Sequence, residues 1–148
     1  MTQINALIFD LDGVIANTEE FHYRAWLQLA QEEGIPFTRA DNEFLRGLTR
    51  EASIQRLLNG RHVPPETLQE WMERKNNYFM AQMDSLRPGD ALPGVEALID
   101  AAQQTELALG VASASRNARP VLEKIGLIDK FQRSEERRVG KECFLLCR

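Results

Sequence analysis

Four apolar residues in a row, Ala6-Leu7-Ile8-Phe9, end abruptly at Asp10. An uninterrupted apolar run of this length predicts a short strand of a parallel sheet, buried on both faces. Gly13 then predicts a loop free to take unusual dihedrals. A second such run, Leu107-Ala108-Leu109-Gly110-Val111-Ala112, predicts another buried strand and gives way to Ser113-Ala114-Ser115-Arg116-Asn117. Between the two, the pattern is helical. Phe21, Ala25, Trp26 and Leu29 form one apolar stripe over a helix from Thr18 to about Glu33. Thr18 is placed as its N-cap and Glu19 and Glu20 at the positive end of its dipole. Gly34 and Pro36 stop it. Two further helices are predicted between Asp41 and Asn59. The first carries Phe44 and Leu45; the second starts near Arg50 and carries Ile54, Leu57 and Leu58. After a break over residues 60–65, a long helix runs from Glu66 to Ser85 with Leu68, Trp71, Met72, Tyr78, Phe79 and Met83 as its apolar positions.

Pro88-Gly89 and Pro93-Gly94 bracket a turn-rich junction. A helix from Val95 to about Thr105 follows, with Leu98, Ile99 and Ala102 on one face. A last helix carries Val121, Leu122 and Ile125, with Gly126 just past its end. The order is strand, all-helical insert, helix, strand, helix. It predicts an α/β core interrupted by a helical cap, with no internal repeat. The expected boundaries are 1–16 and 89–132 for the core, 17–88 for the cap and 133–148 for a tail.

Composition narrows the function classes. The 148-residue chain carries a formal net charge of −4, so it has no broad field to attract nucleic acid or an anionic membrane. Any phosphate must be held by local groups. No apolar run reaches the roughly 18 to 20 residues of a bilayer span. Residues Met1 to Asn5 lack the basic start and apolar core of a signal peptide, so a cytoplasmic location is expected. The two cysteines, Cys143 and Cys147, stand near the end of the chain, which excludes a disulfide framework or a thiolate metal site from the body of the protein.

Open α/β sheets place ligands beyond the carboxyl ends of their strands, and both polar clusters fall there. Two aspartates two positions apart can divide a phosphoryl transfer between them. Asp10 can attack phosphorus and form an aspartyl phosphate. Asp12 can protonate the leaving oxygen and then deprotonate the incoming hydroxyl. A carboxylate approaches a phosphate dianion only if charge is neutralised, and Mg²⁺, a hard ion with oxygen ligands, suits that task. The Ser113 hydroxyl and the amides around Ala114, expected at a helix start, can hold phosphoryl oxygens.

Phe9-Asp10-Leu11-Asp12-Gly13-Val14, followed by a helical cap and then by Ala112-Ser113-Ala114-Ser115-Arg116-Asn117, resembles the haloacid dehalogenase superfamily, and within it the β-phosphoglucomutase family. His22, Arg24-Ala25-Trp26, Gly47-Leu48-Thr49-Arg50-Glu51 and Arg74-Lys75-Asn76 extend the resemblance through the cap, so that it covers about residues 4 to 131. The resemblance implies a Rossmann-like core with an inserted α-helical cap, a Mg²⁺ cofactor, a small sugar phosphate as partner and a monomer at full length. It implies that Asp10 is nucleophile and magnesium ligand. Asp12 would be the acid/base and give its backbone carbonyl to the metal. Ser113 and Ala114 would contact the transferring phosphoryl group, and Ser115 would belong to the phosphate- and substrate-binding set. Arg50, Arg116 and Asn117 would face the second phosphate; the family usually has lysine where Arg116 stands. Thr18, His22 and Lys75 would position Asp12 and lock the closed cap. Trp26 and the Gly47, Leu48 and Thr49 backbone would line the sugar site.

Taken residue by residue, the pattern leaves alternatives. Lys75 lies in a charged stretch and reads equally as surface. Periodicity alone puts Trp26 and Trp71 in a core. Arg50 reads also as a solvated charge at a helix start, and Ser113 and Ser115 as helix caps. The resemblance ends after Phe131, before the basic residue and acidic pair that complete such a site. Arg133 to Cys143 resembles a translated sequencing adapter, which carries the expectation that the chain is truncated, unstable alone and of little turnover. Three functions are weighed: a mutase interconverting β-glucose 1-phosphate and glucose 6-phosphate through an aspartyl phosphate and a bisphosphate, a sugar-phosphate phosphatase, and an inactive fragment.

Overall fold

The computed structural model describes residues 4–131 and 144–147; the adapter-like stretch predicted from Arg133 to Cys143 lies outside them. The chain divides into two compact units, Met1–Thr18 with Leu86–Arg148, and Glu19–Ser85.

In the first unit, strand β1 (Ala6–Asp10) pairs in parallel with β2 (Ala108–Ser113), with Ala6 opposite Ala108 and Asp10 opposite Ala112. β2 is central, because β3 (Phe144–Cys147) runs antiparallel along its other edge, Ser113 opposite Phe144. The sequence pattern did not predict β3: four apolar residues are too short to distinguish from a loop until an edge with free hydrogen-bonding groups is there to pair with. β2 fits the buried-strand expectation, with Leu109, Gly110 and Val111 all buried. β1 does not. Phe9 is buried and meets Phe131 edge-on at 5.8 Å, while Ile8 on the opposite face is 63% exposed. Adjacent strand residues point to opposite faces, and no described element covers the Ile8 face.

Helix α5 (Val95–Gln104) buries Val95, Ile99 and Ala102. Leu98, expected beside them, is 51% exposed, so the buried face of the helix runs through Val95, Ile99 and Ala102 and stops short of it. Helix α6 (Ala118–Lys124) buries Ala118, Val121 and Leu122. Gly126 follows with φ +78, where its missing Cβ would stand 3.4 Å from the Pro88 ring. A short 3-10 turn (Ile128–Lys130) leads to Phe131.

The second unit is all-helical. α1 (Glu19–Glu32) and α4 (Pro65–Met83) pack against each other, and α3 (Arg50–Leu58) packs on α4. Their shared core joins Trp26, Leu29 and Ala30 of α1 to Ile54, Leu57 and Leu58 of α3 and Trp71 of α4. A polar knot reinforces the α1–α4 pair: Arg74 bridges Glu32 and Glu33, and the Tyr78 hydroxyl donates to Glu32 at 2.6 Å. The Tyr78 hydroxyl and the Arg74 guanidinium hold the Glu32 carboxyl below its ordinary range. α2 (Arg39–Glu43) differs from expectation. It starts earlier, capped by Thr38 in a reciprocal box with Asp41, and ends before Phe44, which is 61% exposed. The cap chemistry at Thr38 outweighed the apolar pair Phe44-Leu45 in setting its limits.

Candidate active site

At the carboxyl end of β1 the chain turns sharply. The Asp10 carboxylate is exposed, and its Oδ1 accepts the Leu11 amide at 2.7 Å. That bond engages one carboxylate oxygen. The Leu11 carbonyl accepts from the amides of Val14, Ile15 and Ala16, and Gly13, at φ +76, donates to Ala16. Leu11 and Ile15 are fully buried, so half-buried Asp12 is carried on a loop anchored on both sides. The Leu92 amide donates to the Ile15 carbonyl at 2.8 Å and ties this loop to the segment before α5.

Thr18 is fully buried, and its hydroxyl donates to Asp12 Oδ1. Thr18 stands immediately before α1, at the cap position read from the sequence, and its hydroxyl hydrogen goes to the carboxylate in a charge-assisted hydrogen bond of the stronger kind.

The parallel pairing of Asp10 with Ala112 brings the end of β2 to the same sheet edge. Ser113 is buried there, and its Oγ accepts the Ser115 amide at 3.0 Å; the Ser115 Oγ in turn accepts the Asn117 amide at 3.2 Å. These two turns shape the Ser113–Asn117 loop. α6 starts only at Ala118, so Ala114 lies in the loop and not at the helix start that the sequence predicted. The serine turns postpone the helix by offering the backbone an alternative partner. Asn117 is buried and Arg116 exposed.

The helical unit gathers a second group. Lys75, readable as surface from its charged neighbours, is only 3% exposed. Its Nζ lies 2.8 Å from His22 Nδ1 and 5.1 Å from the centres of both the Trp26 and the Phe79 rings. His22 stacks on Phe79 at 4.3 Å. With Lys75 in its ammonium form, which has only donors, His22 Nδ1 is the acceptor of this contact. Phe79 was read from the sequence only as an apolar helix position. Its i+4 spacing from Lys75 was the available signal for a role beside it. Trp26 belongs to the core cluster and faces Lys75 at once.

Thr49 caps α3 by accepting the Ala52 amide, and Arg50 occupies the first turn. The Arg50 guanidinium donates to Asn76 Oδ1 of α4 at 2.8 Å, which makes Asn76 a further member of this group. Gly47, at φ +70, and exposed Leu48 lead into that cap.

Among the described residues, no cluster of three or more histidine, cysteine, aspartate or glutamate side chains is placed to hold a metal ion. The donors at the end of β1 are two carboxylates and backbone carbonyls. An all-oxygen set of this kind fits part of the coordination shell of a hard divalent ion, which usually keeps several waters and binds through one or two carboxylates plus substrate phosphate. No helix among the described residues is long and apolar enough to cross a membrane.

The family model for haloacid dehalogenase-like hydrolases matches residues 7–134. The chain is 39% identical over 133 residues to the beta-phosphoglucomutase of Bacillus subtilis, covering 86% of this chain and 58% of that protein. The crystal structure of beta-phosphoglucomutase from Clostridium difficile superposes with a TM-score of 0.85 at 39% identity, over 88% of this chain and 60% of that one. A phosphorylated carbohydrates phosphatase of Thermotoga maritima is 22% identical over 126 residues, covering 85% of this chain and 56% of its own. The chain therefore spans 56–60% of the length of these relatives.

Proposed function

The chain belongs to the haloacid dehalogenase-like hydrolase family, and from that premise we propose that it serves as a β-phosphoglucomutase, interconverting β-glucose 1-phosphate and glucose 6-phosphate. The observation that carries the reading is the register of β1 on β2, which sets Asp10 and the Ser113 loop at one sheet edge. The 39% identity to beta-phosphoglucomutase supports the choice of substrate.

Asp10 attacks phosphorus through the carboxylate oxygen not engaged by the Leu11 amide, and forms an aspartyl phosphate. Asp12, oriented by Thr18, protonates the departing sugar oxygen and later accepts the proton of the attacking hydroxyl. The Ser113 hydroxyl and the Ala114 and Ser115 segment contact the transferring phosphoryl oxygens. The guanidinium groups of Arg50 and Arg116, with Asn117, receive the second phosphate, where a planar fork suits two oxygens at once. The helical unit's own residues for the sugar phosphate are Lys75 and His22, with Trp26 and the Gly47, Leu48 and Thr49 backbone for the sugar. Asp10 and the Asp12 carbonyl would hold Mg²⁺, which when bound neutralises charge between carboxylate and phosphate.

The T. maritima phosphatase favours a second reading, in which water attacks the aspartyl phosphate. Phosphorus NMR of the protein with magnesium and β-glucose 1-phosphate separates the two. Glucose 6-phosphate supports the mutase; inorganic phosphate alone supports the phosphatase. Asp10→Asn removes either product. Turnover that survives this substitution, or no conversion by the unsubstituted protein, overturns the proposal.

A further inference from the structure

The segment leading into the Gly47–Arg50 stretch is held almost entirely by charge. α2 has five residues and buries none of them. A helix this short cannot sustain itself in water, and its capping box satisfies its own amides without fixing it to anything else. Between Thr38 and Thr49, only Leu45 enters the core. Among the other anchors, Arg56 of α3 lies 5.3 Å over the Phe44 ring, and the ion pairs that reach outside the segment converge on the first turn of α1. Arg39 forks onto Glu20 through two bonds of 2.8 and 3.0 Å, and its guanidinium lies 4.2 Å over the Tyr23 ring. Arg24 holds the same carboxylate from within α1 at 2.8 Å. Arg46 reaches Glu19 at 2.8 Å and Glu43 at 3.0 Å. Glutamates in a first helical turn are favoured in their ionised form by the dipole, so the receiving side is set in advance.

We infer that the Arg39–Glu20 fork is a latch that holds the segment 38–48 on α1 and thereby sets the placement of the adjoining Gly47–Arg50 stretch for its sugar phosphate. Arg39 and Glu20 are positioning residues that act through the segment between them and the ligand. This inference rests on the sugar-phosphate reading above. The bidentate geometry and the aromatic face under Arg39 raise the pair above an ordinary exposed ion pair. Lysine at position 39 would keep the charge but lose the fork.

Amide hydrogen exchange and glucose 6-phosphate titration, on the parent and on Arg39→Gln, Glu20→Gln and the double variant, test it. Exchange over residues 38–48 is expected to accelerate about three- to fivefold in each variant, the scale of one favourable exposed pair, with residues 54–58 unchanged. The dissociation constant for glucose 6-phosphate is expected to rise by a similar factor. The double variant should be no worse than either single one, because both remove the same interaction. Arg39→Lys should recover part of the loss in both readouts. Unchanged exchange over 38–48, or faster exchange with unchanged affinity, overturns the inference. A parent that binds no glucose 6-phosphate overturns the sugar-phosphate reading and the ligand half of this inference with it. Failure of the latch alone shows instead as unchanged exchange in variants of a protein that does bind.

Discussion

Replacing Thr18 by valine isolates the contact between the buried hydroxyl and Asp12. Threonine and valine have nearly the same shape, so the fully buried site is neither emptied nor crowded. The loss is one hydrogen bond to an ionised acceptor, worth about 1.5–3 kcal/mol. Two features of the structure reduce that figure. Asp12 is half-buried and can recover a water, which favours the lower end, and the added buried methyl returns about 0.8 kcal/mol. The net cost is about 1 kcal/mol, or about 3–6 °C in melting temperature for a domain of this size. Thr18→Ser makes the complementary change: it keeps the hydroxyl and deletes a buried methyl, at about 1 kcal/mol. The two variants should therefore melt together in a thermal scan. They should part company in phosphoryl transfer from β-glucose 1-phosphate. The valine variant loses its grip on the proposed acid/base, and a displacement on the order of 1 Å there costs about 100-fold; the serine variant stays near the parent. Equal activity of valine variant and parent, or equal losses from valine and serine, would refute the reasoning that Thr18 orients Asp12.

Three further outcomes are expected. The Glu20 carboxyl, held by Arg39 and then Arg24, is lowered from 4.5 to about 2; its ionised form contributes stability fully above pH 4.5 and loses it as pH falls towards 2. Melting temperatures between pH 5 and pH 2 should thus decline, and Glu20→Gln should make that decline shallower. Leu29 of α1 is fully buried in the helical core, so Leu29→Ala should cost about 2–5 kcal/mol in urea unfolding, and a loss under 1 kcal/mol would contradict its packing. Nitrogen NMR of the His22 ring should show the neutral tautomer with the proton on Nε2, as the Lys75 ammonium at Nδ1 requires; a proton on Nδ1 would exclude that contact.

Local pattern and long-range assembly divide this protein between them. By itself the sequence determined the order of the strands and main helices from β1 to α6, the helical character of the insert, and the Asp10-Leu11-Asp12-Gly13 turn after an apolar strand. Each of these is written in a few consecutive residues: a run, a 3.6-residue period, a glycine or proline stop. The family was legible for the same reason, since its motifs are short and contiguous.

Only the tertiary structure decided which faces found partners. Lys75 and His22 are 53 positions apart; the i+4 spacing of Phe79 hints at one neighbour of Lys75, but no local window shows that this lysine will be buried against His22 and the Trp26 ring. Thr18 precedes its helix as the sequence predicted, but only the fold presented Asp12 as the acceptor of its hydroxyl hydrogen. Ile8 and Leu98 carried the pattern of buried residues and remained exposed, because apolar character states what a residue can bury and not whether a neighbour arrives to cover it. The nucleophile loop stood in the sequence; its relation to Ser113 came from the register of two strands almost a hundred residues apart, which pairing energy over the whole sheet selects and no local window contains.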